Sequence, residues 1–170
     1  MRILDNKEGE KWMRAAAEVA KQATCRRGKG GAVIVMDGEI IGRGYNAPPC
    51  DDERNRKCHL EMPRHPKLKQ KSDRTCCMHA EWRAIMGALR NHPDKIVGSQ
   101  LFFAGLDEDG EMRKSGKPYC TVCSRLAIDV GIAEFVLWHE SGITAYPTDE
   151  YNDLSYRFFE EQEERIRGEK

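Results

Sequence analysis

The sequence predicts an α/β fold in which helices cover both faces of a mixed sheet. Two apolar runs, 32–36 and 39–45, are joined by Asp37-Gly38 and indicate an antiparallel hairpin. Further along the chain, helical stripes alternate with short apolar runs, an order typical of a sheet with helices on both faces. At 170 residues, the chain is long enough to bury a core as one domain.

Apolar periodicity places the elements of the first half in order. Apolar residues at helical spacing predict a first helix that ends within 24–31. They are Trp12, Ala16, Val19, Ala20 and Ala23. The two hairpin strands follow it. The segment 47–75 is polar and carries no convincing period, so we expect an irregular insert within a single domain spanning 1–170.

The second half alternates helix and strand. An apolar stripe after Glu81 predicts a helix that ends near 91–93. The stripe consists of Trp82, Ile85, Met86 and Leu89. The run 101–104 predicts a third strand, and a helix beginning near Cys120 leads into a fourth at 133–138. A final apolar stripe predicts a C-terminal helix: Tyr151, Leu154 and Phe158.

Two short motifs stand at the predicted starts of two helices, His79-Ala80-Glu81 and Cys120-Thr121-Val122-Cys123. One imidazole and two thiolates can bind zinc and leave a fourth position for water, as in catalytic zinc sites. A helix N-terminus favours a thiolate by about 0.3–1 kcal/mol. We therefore predict His79, Cys120 and Cys123 as zinc ligands and Glu81 as the catalytic proton carrier. The alternative is two buried thiols and a capping histidine.

The insert contains a second H-x-E triplet, His59-Leu60-Glu61. Met62-Pro63 follows it, and the residue before a proline is disfavoured in a helix, so we expect a loop there. Basic residues also concentrate between Arg54 and Lys71. They fit either a flap over a phosphorylated substrate or a solvated loop.

Taken together, these stretches resemble the cytidine deaminase superfamily, and most closely its deoxycytidylate (dCMP) deaminase branch. H-x-E with a later P-C-x-x-C is the pattern of zinc-dependent base deaminases. The matching stretches occur in the family's order: Cys25-Arg26-Arg27, 31–35, Gly44-Tyr45-Asn46-Ala47-Pro48, 79–81 with Ala84-Ile85, and 120–123 with Gly131-Ile132. The resemblance implies a three-layer α/β/α fold around a five-stranded mixed sheet.

The resemblance also assigns roles to residues. It places zinc on His79, Cys120 and Cys123 and proton transfer on Glu81. It implies substrate contacts at Asn46 and Ala80. For Asn46 the alternative is a turn residue that tolerates positive φ.

The chain departs from the family's pattern next to the first zinc cysteine. Tyr119 stands directly before Cys120, where the family usually has proline. The segment 105–117 is also longer and more polar than the usual connection. We expect both departures to affect the identity of the substrate more than the zinc chemistry.

Five further cysteines form a second set: Cys25, Cys50, Cys58, Cys76 and Cys77. Some dCMP deaminases are similar in carrying another zinc near this loop, so a second, structural zinc is one interpretation, with His59 close by. Such a metal would stabilise the irregular insert, whose length needs an explanation. Buried or reactive thiols are the alternative. An odd total of seven cysteines favours metal ligands or free thiols over a disulfide framework.

These features predict a zinc-dependent hydrolase that deaminates a pyrimidine nucleotide, and the resemblance favours dCMP as substrate and dUMP as product. The alternatives are a deaminase of another base (cytidine, guanine or a tRNA base) and a zinc-stapled structural domain. Equal totals of 28 basic and 28 acidic residues argue against tight binding of nucleic acid. We find no membrane span or signal peptide and expect a cytoplasmic protein. The resemblance implies a homo-oligomer.

Overall fold

The computed structural model describes residues 1–58 and 76–168, and these form one mixed β-sheet with helices on both faces. The strands are β1 (Arg2–Ile3), β2 (Lys29–Met36), β3 (Glu39–Tyr45), β4 (Gln100–Leu106), β5 (Met112–Arg113), β6 (Glu134–His139) and β7 (Gly142–Pro147). The helices are α1 (Asn6–Ala20), α2 (Ala80–Asn91), α3 (Thr121–Asp129) and α4 (Thr148–Gly168).

Within the described ranges, the strands run in the order β1-β7-β6-β4-β2-β3, and β5 pairs with the end of β4. The β4–β6 pair is parallel and the other pairs are antiparallel. The mixed sheet and the α/β class are thus confirmed. No helix in these ranges has both the length and the apolar character needed to cross a membrane.

The helices lie in two layers, as predicted. Helix α1 packs on one face through Trp12 and Met13, against Val33 of β2 and Phe102 of β4. Helices α2, α3 and α4 cover the other face, where Ile85 lies among the residues of a second buried cluster. Successive strand residues point to opposite faces, so β2 and β4 contribute to both clusters.

The expected count of five strands is wrong, because the described sheet has seven. Two of the seven strands, β1 and β5, have only two residues each. Such strands are too short to show an alternation of apolar and polar residues in the sequence. The first helix also ends earlier than the stripe suggested. It stops at Ala20, and 21–23 form a turn in which backbone N–H groups bond three residues back.

The predicted hairpin turn at Asp37-Gly38 joins β2 and β3. Asp37 and Gly38 both have positive φ, 50° and 75°, as in two-residue hairpin turns. A bulge follows Ile34 in the β2–β3 register. Beyond β3 the chain continues in two short 3₁₀ turns, Pro49–Asp51 and Glu53–Asn55.

Only part of the predicted insert is described. Residues 59–75 lie outside the described residues, and with them the triplet His59-Leu60-Glu61 and four of the basic residues between Arg54 and Lys71: Arg64, Lys67, Lys69 and Lys71. In the described part, Arg56 is not solvated. Its side chain is 3% exposed, donates to the Thr24 carbonyl oxygen at 3.0 Å and pairs with Glu53. This arginine therefore anchors the insert to the chain just before β2.

Two glycines of β3 let α2 rest directly on the strand. A Cβ at Gly44 would lie 2.1 Å from the Ala80 carbonyl oxygen, and one at Gly42 would lie 2.4 Å from the Ala84 carbonyl oxygen. No side chain fits in either place. The first turn of α2 is therefore held against the end of β3, and this contact fixes where Glu81 lies relative to the sheet.

Candidate metal centre

Two helices begin side by side on the same face of the sheet. His79 is the N-cap residue of α2, and Cys120 is the N-cap residue of α3. The Cys120 sulfur accepts the N–H of Cys123, with a sulfur–nitrogen distance of 3.4 Å. Each motif therefore occupies a helix start, as predicted, and the N-terminal ends of both helices meet at one point.

The donor atoms converge closely. His79 Nδ1 lies 3.1 Å from Cys123 Sγ and 3.5 Å from Cys120 Sγ, and the two sulfurs are 2.8 Å apart. With a Glu81 carboxylate oxygen, all four atoms lie within 4.8 Å of one another. Zinc bonds of about 2.0–2.3 Å at tetrahedral angles separate such donors by roughly 3.6–3.8 Å. The donors need to move apart by about 1 Å or less, so these residues fit zinc.

Trp82 fixes the plane of the imidazole. Its ring stacks on His79 with centroids 5.6 Å apart and planes at 28°. The two residues are three positions apart at the start of α2, a spacing that brings side chains together on a helix. The stacked indole restricts rotation of the His79 ring.

The local charges favour a metal-binding thiolate. A hydrogen bond from Cys123 lowers the pKa of the Cys120 thiol to about 5, and His79 contributes to the shift. The hydrogen bond to Cys120 raises the pKa of His79 to about 9, although burial opposes it. Burial raises the pKa of Cys123. Because zinc ligands must be deprotonated, metal binding here releases protons from His79 and Cys123.

Glu81 is a buried carboxyl, 6% exposed, beside these donors. Burial raises its pKa to about 7, and the negative charge of Cys120 adds to the shift. A carboxyl that titrates near neutral pH can both accept and return a proton. The geometry therefore suits the predicted role of Glu81 as proton carrier.

A cavity of about 250 Å³ opens onto the metal centre. Its wall contains both predicted substrate contacts, Asn46 and Ala80, and one basic side chain among the described lining residues, Arg27. Ala80 is the first residue of α2, where backbone N–H groups have no partner within the helix. The structure thus brings the predicted contacts to one cavity with the zinc motif.

Asn46 is held firmly at this cavity. Its Oδ1 accepts the Gly30 N–H at 2.8 Å, and its Nδ2 donates to the Gly28 carbonyl oxygen at 2.9 Å. One N–H of the amide remains for a ligand. Among the described residues, positive φ occurs at three non-glycine positions, Asp37, Cys50 and Asp51, so Asn46 is not a turn residue with positive φ.

Four of the five other cysteines also line this cavity: Cys25, Cys58, Cys76 and Cys77. The sulfurs of Cys76 and Cys77 are 3.8 Å apart. Cys77 also contacts Cys25, and Cys76 contacts Cys58. Cys50 lies apart from them, exposed on the Pro49–Asp51 turn. His59 lies outside the described residues.

A smaller cavity of about 40 Å³ continues from the first and shares the Glu81, Phe103 and Tyr119 walls. Its other lining residues include Arg113 from β5 and Tyr151 from α4. The sequence identified Tyr151 only as part of a helical stripe. These residues come from separate elements, so no spacing along the chain indicates that they meet.

Residues 6–139 match the family model described as the cytidine and deoxycytidylate deaminase zinc-binding region. A deoxycytidylate deaminase from Mycobacterium phage D29 is 26% identical over 136 residues, covering 78% of this chain and 94% of that protein.

Solved structures show the same fold. The dCMP deaminase of cyanophage S-TIM5, in complex with dCMP and dUMP, aligns with a TM-score of 0.51 at 21% identity and covers 78% of this chain and 81% of that one. A cytidine deaminase from Burkholderia pseudomallei gives a TM-score of 0.54 at 17% identity, with coverage of 84% and 94%. With its zinc-binding region matched over most of its length, this chain belongs to the cytidine and deoxycytidylate deaminase family and is an enzyme of the hydrolase type.

Proposed function

We propose that this enzyme deaminates a free pyrimidine nucleotide, converting dCMP to dUMP with release of ammonia. The observation that carries the proposal is the convergence of His79, Cys120 and Cys123 around the buried carboxyl of Glu81 at the end of a cavity. The deoxycytidylate deaminase of phage D29 supports the choice of substrate.

In this proposal His79, Cys120 and Cys123 hold the metal. Zinc, when bound there, is a Lewis acid that makes water available as a nucleophile near neutral pH. Glu81 accepts a first proton from the attacking water and delivers it to ring N3, where it stays in the product. Glu81 then takes the second proton from the oxygen bonded to C4 and delivers it to the amine, which leaves as ammonia. The water oxygen forms a bond to C4 as the C4–N bond breaks, so cytosine and water become uracil and ammonia.

The cavity wall supplies substrate contacts. The N–H of Ala80 has no partner within α2, so it can donate to the base. Asn46 has one amide N–H left for the sugar, because Gly30 and Gly28 occupy its other groups. The Ala80 contact is a backbone N–H, and the Asn46 amide is hydrogen-bonded to the backbone of Gly28 and Gly30. Both groups are therefore held in place before a ligand binds.

The described charges favour a free nucleotide over a nucleic acid. Arg54 pairs with Asp52 at 2.6 Å, and Arg56 pairs with Glu53 at 2.5 Å. These partners reduce the positive charge that a polyanion would meet at the start of the insert. Homo-oligomer formation and a cytoplasmic location remain predictions.

A substrate panel tests the proposed activity. We expect ammonia release from dCMP to be faster than from cytosine, cytidine, deoxycytidine, CMP or guanine, measured with zinc-loaded protein. Protein stripped of zinc with a chelator is the control and should be inactive. Preferred turnover of guanine or of a nucleoside would contradict the proposed substrate.

We also propose a second, structural zinc bound by thiols among Cys25, Cys58, Cys76 and Cys77. The support is their placement at one cavity, and adjacent Cys76 and Cys77 cannot easily both bind one ion. We expect two zinc ions per fully loaded chain by metal analysis, and one after Cys25→Ser. Cys50→Ser is the matched control and should retain two. A ratio of one in the wild-type protein would remove this site.

A further inference from the structure

The segment 107–117, which we call the strap, follows β4 and leads to the start of α3. Its first part is a turn in which the Asp107 carboxylate accepts the Glu111 N–H at 2.8 Å. Its middle is β5, which pairs with β4 in the register Gly105–Arg113 and Leu106–Met112. Its last part is tied to β6, where the Ser115 N–H donates to the Trp138 carbonyl oxygen at 2.7 Å. Backbone hydrogen bonds therefore attach the strap to β4 and to β6, and a side-chain hydrogen bond closes its turn.

The register of β5 decides which way its side chains point. Along β4, Phe102 and Ala104 face α1, whereas Leu101 and Phe103 face the layer of α2 and α3. Side chains alternate along a strand, so Gly105 lies on the same face as Phe103. Arg113 pairs with Gly105 and therefore shares the face of the metal centre. Met112, the next residue, packs against the α1 cluster, as this alternation requires.

Two paired glycines make room on that face. Gly30 of β2 pairs with Gly105 of β4, and Gly105 pairs with Arg113. A Cβ on Gly105 would lie 2.6 Å from Arg113 Nε and 3.2 Å from Nη2. A Cβ on Gly30 would lie 3.0 Å from the Phe103 ring. The absence of both side chains lets the guanidinium and the aromatic ring approach the backbone of the sheet closely.

The position of Arg113 relative to the other substrate contacts follows from this row. The Asn46 amide is bonded to Gly30, and the Arg113 guanidinium lies over Gly105, one strand away. Neighbouring strands are about 4.8 Å apart, a span comparable with the few bonds between sugar and phosphate in a nucleotide. Arg113 also lines the smaller cavity together with Glu81 and Tyr119.

The guanidinium of Arg113 is available to a ligand. Across 1–58 and 76–168, no acidic side chain forms an ion pair with it. The other two cations of the strap are engaged. Lys117 pairs with Glu161 at 2.9 Å, and the Lys114 ammonium lies 3.6 Å from the centre of the Trp138 ring.

We propose that Arg113 binds the phosphate of the nucleotide substrate and so makes the enzyme prefer nucleotides over nucleosides. This inference rests on the proposed nucleotide substrate. A guanidinium presents two parallel N–H groups, which match two phosphate oxygens. The longer and more polar connection before Cys120 then has a function, because it carries β5 and turns Arg113 toward the metal centre.

The test compares Arg113→Gln with Lys114→Gln. The two variants remove the same charge from neighbouring residues, but Lys114 lies on Trp138. We expect the KM for dCMP to rise about 10- to 100-fold in Arg113→Gln, since a hydrogen bond to a charged group is lost. The KM for deoxycytidine and the zinc content should be unchanged. In Lys114→Gln both KM values should stay within about twofold of wild type.

Two results would overturn the inference. One is an equal effect of Arg113→Gln on dCMP and deoxycytidine. The other is loss of nucleotide preference in Arg27→Gln while Arg113→Gln keeps it, which would place the phosphate in the larger cavity on Arg27. If the wild-type enzyme does not turn over dCMP, the proposed function itself is wrong. The wild-type assay therefore distinguishes that failure from a failure of the inference about Arg113.

Discussion

Glu81→Gln is expected to retain zinc and to lose turnover by about 10²- to 10⁴-fold, the usual contribution of a general acid–base group. Gln has nearly the shape of Glu, so the change leaves no void at this buried site, which is 6% exposed in the wild type. It removes the group that accepts and returns protons. Ammonia release at saturating substrate and metal analysis of the same sample measure the two outcomes.

The control for this substitution is Glu108→Gln. Glu108 is exposed on the turn of the strap, and its loss should change neither turnover nor zinc content. Loss of zinc in Glu81→Gln would identify Glu81 as a metal ligand instead of a proton carrier. Full activity in Glu81→Gln would show that another group moves the proton.

Gly44→Ala is expected to destabilise the enzyme by about 1–3 kcal/mol or more, because overpacking forces the backbone to shift. The new methyl group would lie 2.1 Å from the Ala80 carbonyl oxygen and 2.4 Å from the Ala84 nitrogen. Both atoms belong to the backbone of α2 and have no rotamer by which to move away. The displaced helix would carry Glu81 with it, so zinc affinity and turnover should fall together with stability.

Gly87→Ala provides the matched comparison within the same helix. A Cβ at Gly87 meets its nearest neighbour at 3.7 Å, the Arg43 carbonyl oxygen, which is ordinary contact. Alanine is favoured over glycine inside a helix by about 0.5–1 kcal/mol. Denaturant unfolding should therefore show opposite signs for the two substitutions. A neutral Gly44→Ala would mean that α2 does not rest on β3 as described.

Much of the fold was predictable because its patterns are local. The stripe after Glu81 gives α2, and the Asp37-Gly38 pair gives the hairpin turn with both φ values positive. The zinc motifs were also visible, since helix starts can be recognised from neighbouring residues. His79 and Cys120 are found at those helix starts.

Two short strands and the position of Arg113 depend on contacts between distant residues. β1 and β5 have two residues each and exist through their pairing with β7 and β4. The position of Arg113 follows from the pairing of β5 with β4. The residues next to Arg113 in the sequence do not indicate this pairing. Among the cysteines, Cys50 resembled the others by type, but its exposed turn separates it from the four at the cavity.

The distance along the chain between the donors of the metal centre affects how the enzyme matures. His79 is 41 residues from Cys120 and 44 from Cys123, so an emerging polypeptide cannot present them together. They meet only when α2 and α3 have docked on one face of a nearly complete sheet. Cys120 and Cys123 are only three residues apart, so the donor that joins late is His79, and we expect full ion capture at this centre to be a late step of biogenesis.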